Sequence, residues 1–386
     1  MPFSELLSTV VDNRGRTCPT VASGIKLIAT NCISNEMLHP RYEKVRYVSQ
    51  ETYDNWFRGH PRPGDLIFVC KGSPGRVAIA PNPVDFCIAQ DMVAVRADRS
   101  KIHPLYLFAA LRSPVVQERI QSLQVGTMIP HFKKGDFGKL NIPVPDRDSQ
   151  AGIGSFYYAM SSKIAVNERI AARADELSAE LFRQAVLKTP DQFTEQALSD
   201  TADFINGRAF TKDATGTGRM VVRIAEINSG PGSSTVYNDI DVPEKHLARP
   251  GDVLFAWSGS LTVSRWFHPE AIINQHIFKC VPKNGFPQWL VSQLVHRKID
   301  EFRAIAADKA TTMGHIQRRD LDEPVLVPTS EAVSSFGARM SSLWTRALLA
   351  EQESLTLATL RDALLPQLMF GRLRVKDAEK IVEEQV

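Results

Sequence analysis

Arg62-Pro63-Gly64-Asp65-Leu66-Ile67-Phe68 returns later in the chain as Arg249-Pro250-Gly251-Asp252-Val253-Leu254-Phe255. Pro presets φ and Gly permits positive φ, so Pro-Gly-Asp reads as a turn that feeds a buried strand. The match extends outward in the same order. Asn13-Arg14-Gly15-Arg16 pairs with Ile205-Asn206-Gly207-Arg208, and Ile88-Ala89-Gln90-Asp91 with Ile273-Asn274-Gln275-His276. Further on, Gly126-Thr127-Met128 pairs with Thr311-Thr312-Met313, His131 and Asp136 with His315 and Asp320, and Arg183–Leu187 with Arg361–Leu365. The offset between partners shrinks steadily, as a duplication with small deletions in the second copy requires. A period this long repeats whole domains, since solenoid units are about 20–50 residues.

The chain has 386 residues, enough for two or three domains at roughly 100–200 residues each. Hydrophobic residues at 43% and charged residues at 23% are ordinary globular values. A net charge of +3 does not by itself argue for nucleic acid. Five cysteines without a CxxC pair fit a reducing cytoplasm rather than a disulfide framework or zinc ribbon. No signal peptide and no membrane-length apolar run is expected.

Each half has two textures. The first, residues 1–148, is rich in Gly and Pro, with β-like runs at Val21–Ala29, Leu66–Cys70, Val77–Ala80 and Met92–Arg96. One helix is expected from Pro104 to Ile120, with its counterpart at Gln288–Phe302 behind Pro287. The second texture begins near residue 151. Ile153, Tyr157, Met160, Ile164, Asn167, Ala171, Ala174, Leu181 and Ala185 recur three and four apart. Val333, Phe336, Met340, Leu343, Ala347, Ala350, Leu357 and Leu364 repeat the stripe. Both predict long helices, Ile153–Lys188 and Val333–Leu365, roughly 50 Å long at 1.5 Å per residue. Because the chain returns between them, an antiparallel pair is the natural packing, with the alanines permitting close approach. Asn167 either fixes register in the seam or faces water. Pro366 should end or kink the second helix, and the charged tail after Arg374 should fray.

Catalytic signatures are missing: no P-loop, no strand–GxGxxG–helix, no HExxH and no GxSxG. The dispersed histidines do not suggest a metal site. Asp65 followed by Lys71 superficially resembles a nuclease pair, but the second copy has Ser258 there, so a turn-capping Asp is the better reading. Binding chemistry remains, in loops at matching places. The first pair is Lys71–Arg76 (with Ser73) and Ser258–Arg265 (with Ser260). The second runs from Gly126 to Lys134 (with Thr127, His131, Lys133 and Lys134) and from Thr311 to Arg319 (with Thr312, His315, Gln317, Arg318 and Arg319). Hydroxyls and adjacent basic residues suit phosphates, whereas Arg, His and Gln can read base edges. On this reading Lys133, Lys134, Arg318 and Arg319 contact phosphates, and Arg76, His131, Arg265, His315 and Gln317 contact base edges. Solvated polar loops with ordinary surface charge are the bland alternative.

The repeated Pro-Gly-Asp strand carries a resemblance. So do the loops leading to Leu140-Asn141-Ile142-Pro143-Val144-Pro145 and to Pro324-Val325-Leu326-Val327-Pro328, and the long helix after each. Together the chain resembles the specificity subunit of type I restriction–modification systems. The resemblance implies an α/β (α+β) fold: two tandem target recognition domains separated by two long antiparallel coiled-coil helices in a pseudo-two-fold repeat. The expected divisions are recognition domains at 1–148 and 191–328, spacer helices at 149–190 and 329–375, and a tail at 376–386. It implies further that each domain reads one half of a bipartite double-stranded DNA site. The helices would dock two methyltransferase subunits, and restriction/motor subunits would complete the assembly. No cofactor, metal or catalytic residue is expected in the chain itself, which lacks an Asn-Pro-Pro-Tyr motif. Asp146-Arg147-Asp148-Ser149-Gln150 and Thr329-Ser330 depart from the family's usual run before each helix. A duplicated DNA-binding nuclease and a protein–protein adaptor without a DNA role are the alternatives.

Overall fold

In the computed structural model, residues 1–386 are described except Arg14, Arg16, Thr127 and 309–313. The chain forms two compact units, residues 1–166 with 354–386 and residues 167–353.

The first unit holds strands β1 (Leu7–Val11), β2 (Ile25–Ile28), β3 (Arg46–Val48), β4 (Leu66–Val69), β5 (Val77–Ile79), β6 (Phe86–Ile88) and β7 (Met92–Ala97). An antiparallel sheet runs β1-β7-β4-β5, and a second runs β3-β2-β6 with β2 parallel to β6. Strand β4 is buried along its whole length, as its unbroken apolar run requires. Its two faces go to different cores. Leu66 and Phe68 join a cluster with Phe3, Tyr106, Phe108 and Phe137, while Ile67 and Val69 pack with Ile28, Phe86 and Met92.

The helix expected from Pro104 to Ile120 is two: α2 (Pro104–Arg112) and α3 (Pro114–Leu123), following the short α1 (Gln50–Asn55). Pro114 lacks an N–H and crowds the carbonyl four residues back, so it can only start a helix here. Ser113 becomes extended, and its hydroxyl accepts from the Val116 amide.

The second unit contains β8 (Phe193–Ala197), β9 (Ala202–Asn206), β10 (Arg219–Val222), β11 (Val236–Asn238), β12 (Leu247–Ala248), β13 (Val253–Ala256), β14 (Thr262–Arg265), β15 (Ala271–Ile273), β16 (Ile277–Pro282) and β17 (Pro324–Pro328). Its main sheet, β14-β13-β16-β9, repeats β5-β4-β7-β1 strand for strand. The parallel β10–β15 pair with β11 on the far edge of β10 repeats β2, β6 and β3. The duplicated sequence therefore builds a duplicated topology. One register differs from the sequence alignment. Val11 lies opposite Ala94 and Ile205 opposite Lys279, so pairing equates Val11, not Asn13, with Ile205.

Two long helices, α4 (Arg147–Lys188) and α8 (Ser330–Met369), each contribute to both units, as the heptad stripes predict. Asp146 caps α4 by accepting from the Ser149 amide at 2.9 Å, and Thr329 caps α8 through the Ala332 amide at 3.3 Å. The short segments after Ala197 and Val222 are α5 (Leu198–Thr201) and α6 (Ile224–Ser229), and α7 (Gln288–Asp308) replaces the α2–α3 pair without a break.

In the first unit Ile153, Tyr157, Met160 and Ile164 of α4 pack with Leu357, Leu364 and Leu365 of α8. In the second unit Ala171 and Ala174 meet Ala347 and Ala350, and Phe182 meets Phe336. The pairing numbers fall on α8 as they rise on α4, which makes the helices antiparallel. Asn167 is wholly buried and its amide donates to Glu353 at 2.9 Å, so it lies in the seam. Beyond Ala174 the buried line passes through Ser178 to Phe182, leaving Leu181 and Ala185 half-buried. A helix of 3.6 residues per turn drifts away from a strict heptad in this way.

Pro366 does not end α8, which runs a few residues further to Met369. Nor does the tail fray. Residues Val375–Gln385 form α9, with Ala378 fully buried and Val375 against Gly152. Its Ile381 and Val382 pack on the first unit's core, which outweighs the charge of the outward face.

Candidate nucleic-acid interface

The Pro-Gly-Asp turn explains its own repetition. In the first unit Asp65 accepts from the Arg62 amide at 2.8 Å and takes both Nε and Nη2 of Arg96 at 2.8 Å. In the second, Asp252 accepts from the Arg249 amide at 2.7 Å and pairs with Lys279 at 2.9 Å. Each aspartate closes the turn and ties it to the neighbouring strand, so neither carboxylate is a metal ligand in waiting. Among the described residues no group of three or more His, Cys, Asp or Glu side chains could hold a metal.

At the far end of β4 the two candidate loops come together. Lys71 bridges His131, the Gly72 amide donates to Pro130 O at 2.9 Å, and the Phe132 amide donates to Cys70 O at 2.8 Å. The second unit does the same at the end of β13. Ser258 bridges His315, the Gly259 amide donates to Gly314 O at 2.8 Å, and the Ile316 amide donates to Trp257 O at 3.1 Å. Gly72 and Gly259 have φ of +87° and +66°, which favours glycine at this shared bend. The repeated His-(four residues)-Asp spacing follows from the same construction. The histidine forms the bridge, and the Asp136 and Asp320 amides close a tight turn onto Lys133 O and Gln317 O, each at 2.9 Å.

On this common frame the side chains differ. In the first unit Lys71, Arg76 and Lys133 are exposed, and Ser73, His131 and Lys134 are half-buried. Lys134 faces Asp12 at 3.6 Å. Gln117 of α3 holds the loop by donating to Gly75 O at 2.8 Å, which leaves Arg76 at a defined place. In the second unit Ser260, His315, Gln317, Arg318 and Arg319 are exposed, and Ser258 is buried. Arg318 donates to Phe204 O at 3.1 Å. Thr127 and Thr312 lie outside the described residues.

Arg265 departs from its expected place. It is only 7% exposed. Its Nε and Nη2 donate to Glu351 at 2.8 and 3.0 Å, its Nη1 and Nη2 donate to Asp175 at 3.1 Å, and its guanidinium lies 4.6 Å from the Trp344 ring centre. The arginine joins β14 to α4 and α8 within its unit, and four of its five N–H donors are taken up there. Alternation along β14 puts Arg265 on the helix side, a fact that loop counting in the sequence could not supply.

The sequence reading also missed an aromatic group beside the second pair of loops. Trp257 stacks on Phe278 at 5.6 Å and lies 5.1 Å from His276 and 6.4 Å from His315. Its indole N–H donates to Asn206 at 2.8 Å. The first unit has Cys70 at the equivalent place. A Trp directly before Ser258 was the available signal.

Residues 24–175 match the family model described as the type I restriction modification DNA specificity domain. The chain is 19% identical over 359 residues to the type I restriction enzyme MjaIX specificity subunit of Methanocaldococcus jannaschii, a match spanning 81% of this chain and 78% of that one. The crystal structure of a type I restriction-modification system S subunit from M. genitalium is similar at a TM-score of 0.53 and 16% identity, over 90% of this chain and 92% of that one. The two share a fold, as the tandem domains and long helices imply. The HsdS subunit from Thermoanaerobacter tengcongensis matches over 97% of this chain and 96% of its own at 17% identity, with a TM-score of 0.36.

Proposed function

We propose that this chain is the DNA sequence-specificity subunit of a type I restriction–modification complex. Residues 1–148 and 191–328 are its two recognition domains, and each reads one half of a bipartite duplex site. Segments 149–190 and 329–375 space the domains and dock two methyltransferase subunits, and restriction subunits join that assembly. The chain itself carries no catalysis and works in the cytoplasm.

One observation carries the reading. In both units the two candidate loops are pinned by the same backbone bonds at the end of the same strand, while the side chains they display differ. A common frame with divergent tips suits two recognition sites of different sequence. Lys133, Lys134, Arg318 and Arg319 supply charge without sequence information, and Arg76, His131, His315 and Gln317 are the base-edge candidates. Arg265 is not among them, because its donors are engaged by Glu351 and Asp175. The nuclease alternative loses its main support, since Asp65 and Asp252 are both tied into turns.

The test is to assemble the chain with its methyltransferase subunits and select bound duplexes from a random pool. Two fixed half-sites separated by a spacer of constant length are expected. A single contiguous motif, or no motif, refutes the reading.

A further inference from the structure

The first unit has a large cavity that the loops described above do not use. It encloses about 1040 Å³ beside the Pro-Gly-Asp turn, at the end of β4 away from Lys71. Arg62, Arg96, Arg99 and Arg147 line it together with His39 and His103. Asp65 is the one carboxylate among its lining residues, and Arg96 and the Arg62 amide already engage it. Among the described residues no carboxylate pairs with the Arg62, Arg99 or Arg147 side chains. Arg147 instead donates to the Arg99 carbonyl. The buried Nδ1 of His103 has no hydrogen-bond partner. A smaller cavity of about 440 Å³ shares Arg62 and Arg96 and adds Arg58 and Lys134, with the Asp12 carboxylate also in its wall, 3.6 Å from Lys134. The two cavities together link the recognition loop, at Lys134, to the start of α4, at Arg147.

The second unit neutralises the corresponding turn. Arg249 pairs with Glu244 at 2.6 Å and Glu270 at 3.0 Å, and Glu270 also holds Arg219 at 3.1 Å. Val281 stands where the first unit has Arg96. Among the described residues the basic lining therefore belongs to the first copy's turn and not to the second's. A feature of the shared scaffold would appear in both.

We infer that the channel from Lys134 through Arg62 to Arg147 is a second DNA site, which holds the phosphodiester backbone outside the bases that the first domain reads. The inference rests on the DNA-binding reading above. Continuity with the basic loop favours a nucleic acid backbone over an acidic protein segment, which would need no link to Lys134. Asp65 and Lys71 lie about 20 Å apart at ~3.3 Å per strand residue. That reach corresponds to about six base pairs at ~3.4 Å each. Arginines not neutralised by a carboxylate suit phosphates because their planar donors bind two oxygens at once.

The experiment uses the chain assembled with its methyltransferase subunits and the variant Arg62→Gln/Arg99→Gln/Arg147→Gln, with Arg249→Gln as control. Melting of the free chain checks that the triple variant folds, as these exposed side chains allow. Binding is measured from 50 to 200 mM salt on a cognate duplex and on one with the first half-site scrambled. Loss of three phosphate contacts should lower the log–log salt slope by about 3, which makes affinity about 40-fold less salt-sensitive over that range. The loss should be the same on both duplexes, and the control should keep the wild-type slope. Neutral methylphosphonates placed within about six base pairs of the first half-site should weaken wild type but not the triple variant. An unchanged slope, a loss confined to the cognate duplex, or a triple variant that binds DNA normally but no longer assembles with its partner overturns the inference. A wild-type complex without site preference, whose slope still falls in the triple variant, refutes the specificity reading and leaves this site standing.

Discussion

Replacing Arg265 with Ala should unfold the second unit far more readily than an exposed arginine would suggest. The change removes four charge-assisted hydrogen bonds and the stack on Trp344. The larger effect is on what remains. The Glu351 side chain is 21% exposed and would keep a charge with no partner, whereas Asp175 at 54% can be rehydrated. Breaking a buried pair costs about 3–5 kcal/mol. Discounting the exposed Asp175 puts the expected loss near the lower end, about 3 kcal/mol. For a unit of this size that is roughly 6–12 °C in melting temperature. Burial pushes the Glu351 carboxyl above its ordinary value, and Arg265 opposes that rise. Without Arg265 the folded-state value climbs further. A raised folded value favours folding below the unfolded value and loses that benefit as pH rises through the folded one. The variant should therefore be closest to wild type at low pH and most impaired at neutral pH. Adding Glu351→Leu should recover most of the loss, because no charge is then stranded. Calorimetry of the full chain, with hydrogen exchange over residues 330–353, reads all of this. A loss below about 1 kcal/mol, or one independent of pH, would show that Arg265 is not the joint between β14 and the helices.

Asp65→Ala should cost about 2–4 kcal/mol, since it frees the Arg62 amide and strands Arg96 beside a buried position, and denaturant unfolding with unchanged midpoint would count against the turn's role. Ile164→Asp should destabilise the first unit by several kcal/mol and Leu343→Asp the second unit by less, because Ile164 is buried and Leu343 half-buried; equal thermal shifts would contradict this. In the assembled complex, Lys133→Ala with Lys134→Ala should weaken binding to every sequence and lower the salt slope by about 2, with less effect from Lys134 because it faces Asp12. Arg76→Ala should cost about 1–3 kcal/mol of discrimination in one half-site, and relaxation of both half-sites would break the link between that loop and that half-site.

The parts of the fold that periodicity dictates were legible in the sequence. A heptad stripe places α4 and α8 because burial on a helix repeats every three or four residues, and the repeated Pro-Gly-Asp places β4 and β13 because a turn must precede each strand. What was not legible depends on contacts distant in sequence. The charged tail reads as solvated, yet α9 turns an apolar face onto the first unit's core. The helix from Pro104 looks continuous by spacing, yet Pro114 restarts it. Arg265 reads as a loop cation because its partners, Asp175 and Glu351, lie some ninety residues away on either side. Counting basic residues in the sequence does not settle their availability, which depends on which carboxylates the fold brings near.

That distinction separates the two copies. Duplication preserved what holds the loops, namely the bridge to the histidine, the turn aspartate and the glycine at the bend. It did not preserve how charge is distributed around the turn and the edge strand. Where β14 has Arg265, pairing puts Ile79 in β5, since Leu66 faces Ile79 as Val253 faces Arg265. The first unit packs that position with apolar side chains and ties α2 to β5 through Arg112, which donates to Val77 O and Ser34 O. The second unit uses an ion pair at the joint and acids at the turn, so Arg265, Arg249 and Arg219 are consumed internally. Among the described residues, the first leaves Arg62, Arg99 and Arg147 without acidic partners. Exchanging the joints tests whether these solutions are independent. Arg265→Ile with Glu351→Leu and Asp175→Ala should keep the second unit folded, because an apolar joint already serves the first. If that variant cannot fold while each loop remains intact, the ion pair is required by the second unit's own helix packing, and the copies are less interchangeable than their topology implies.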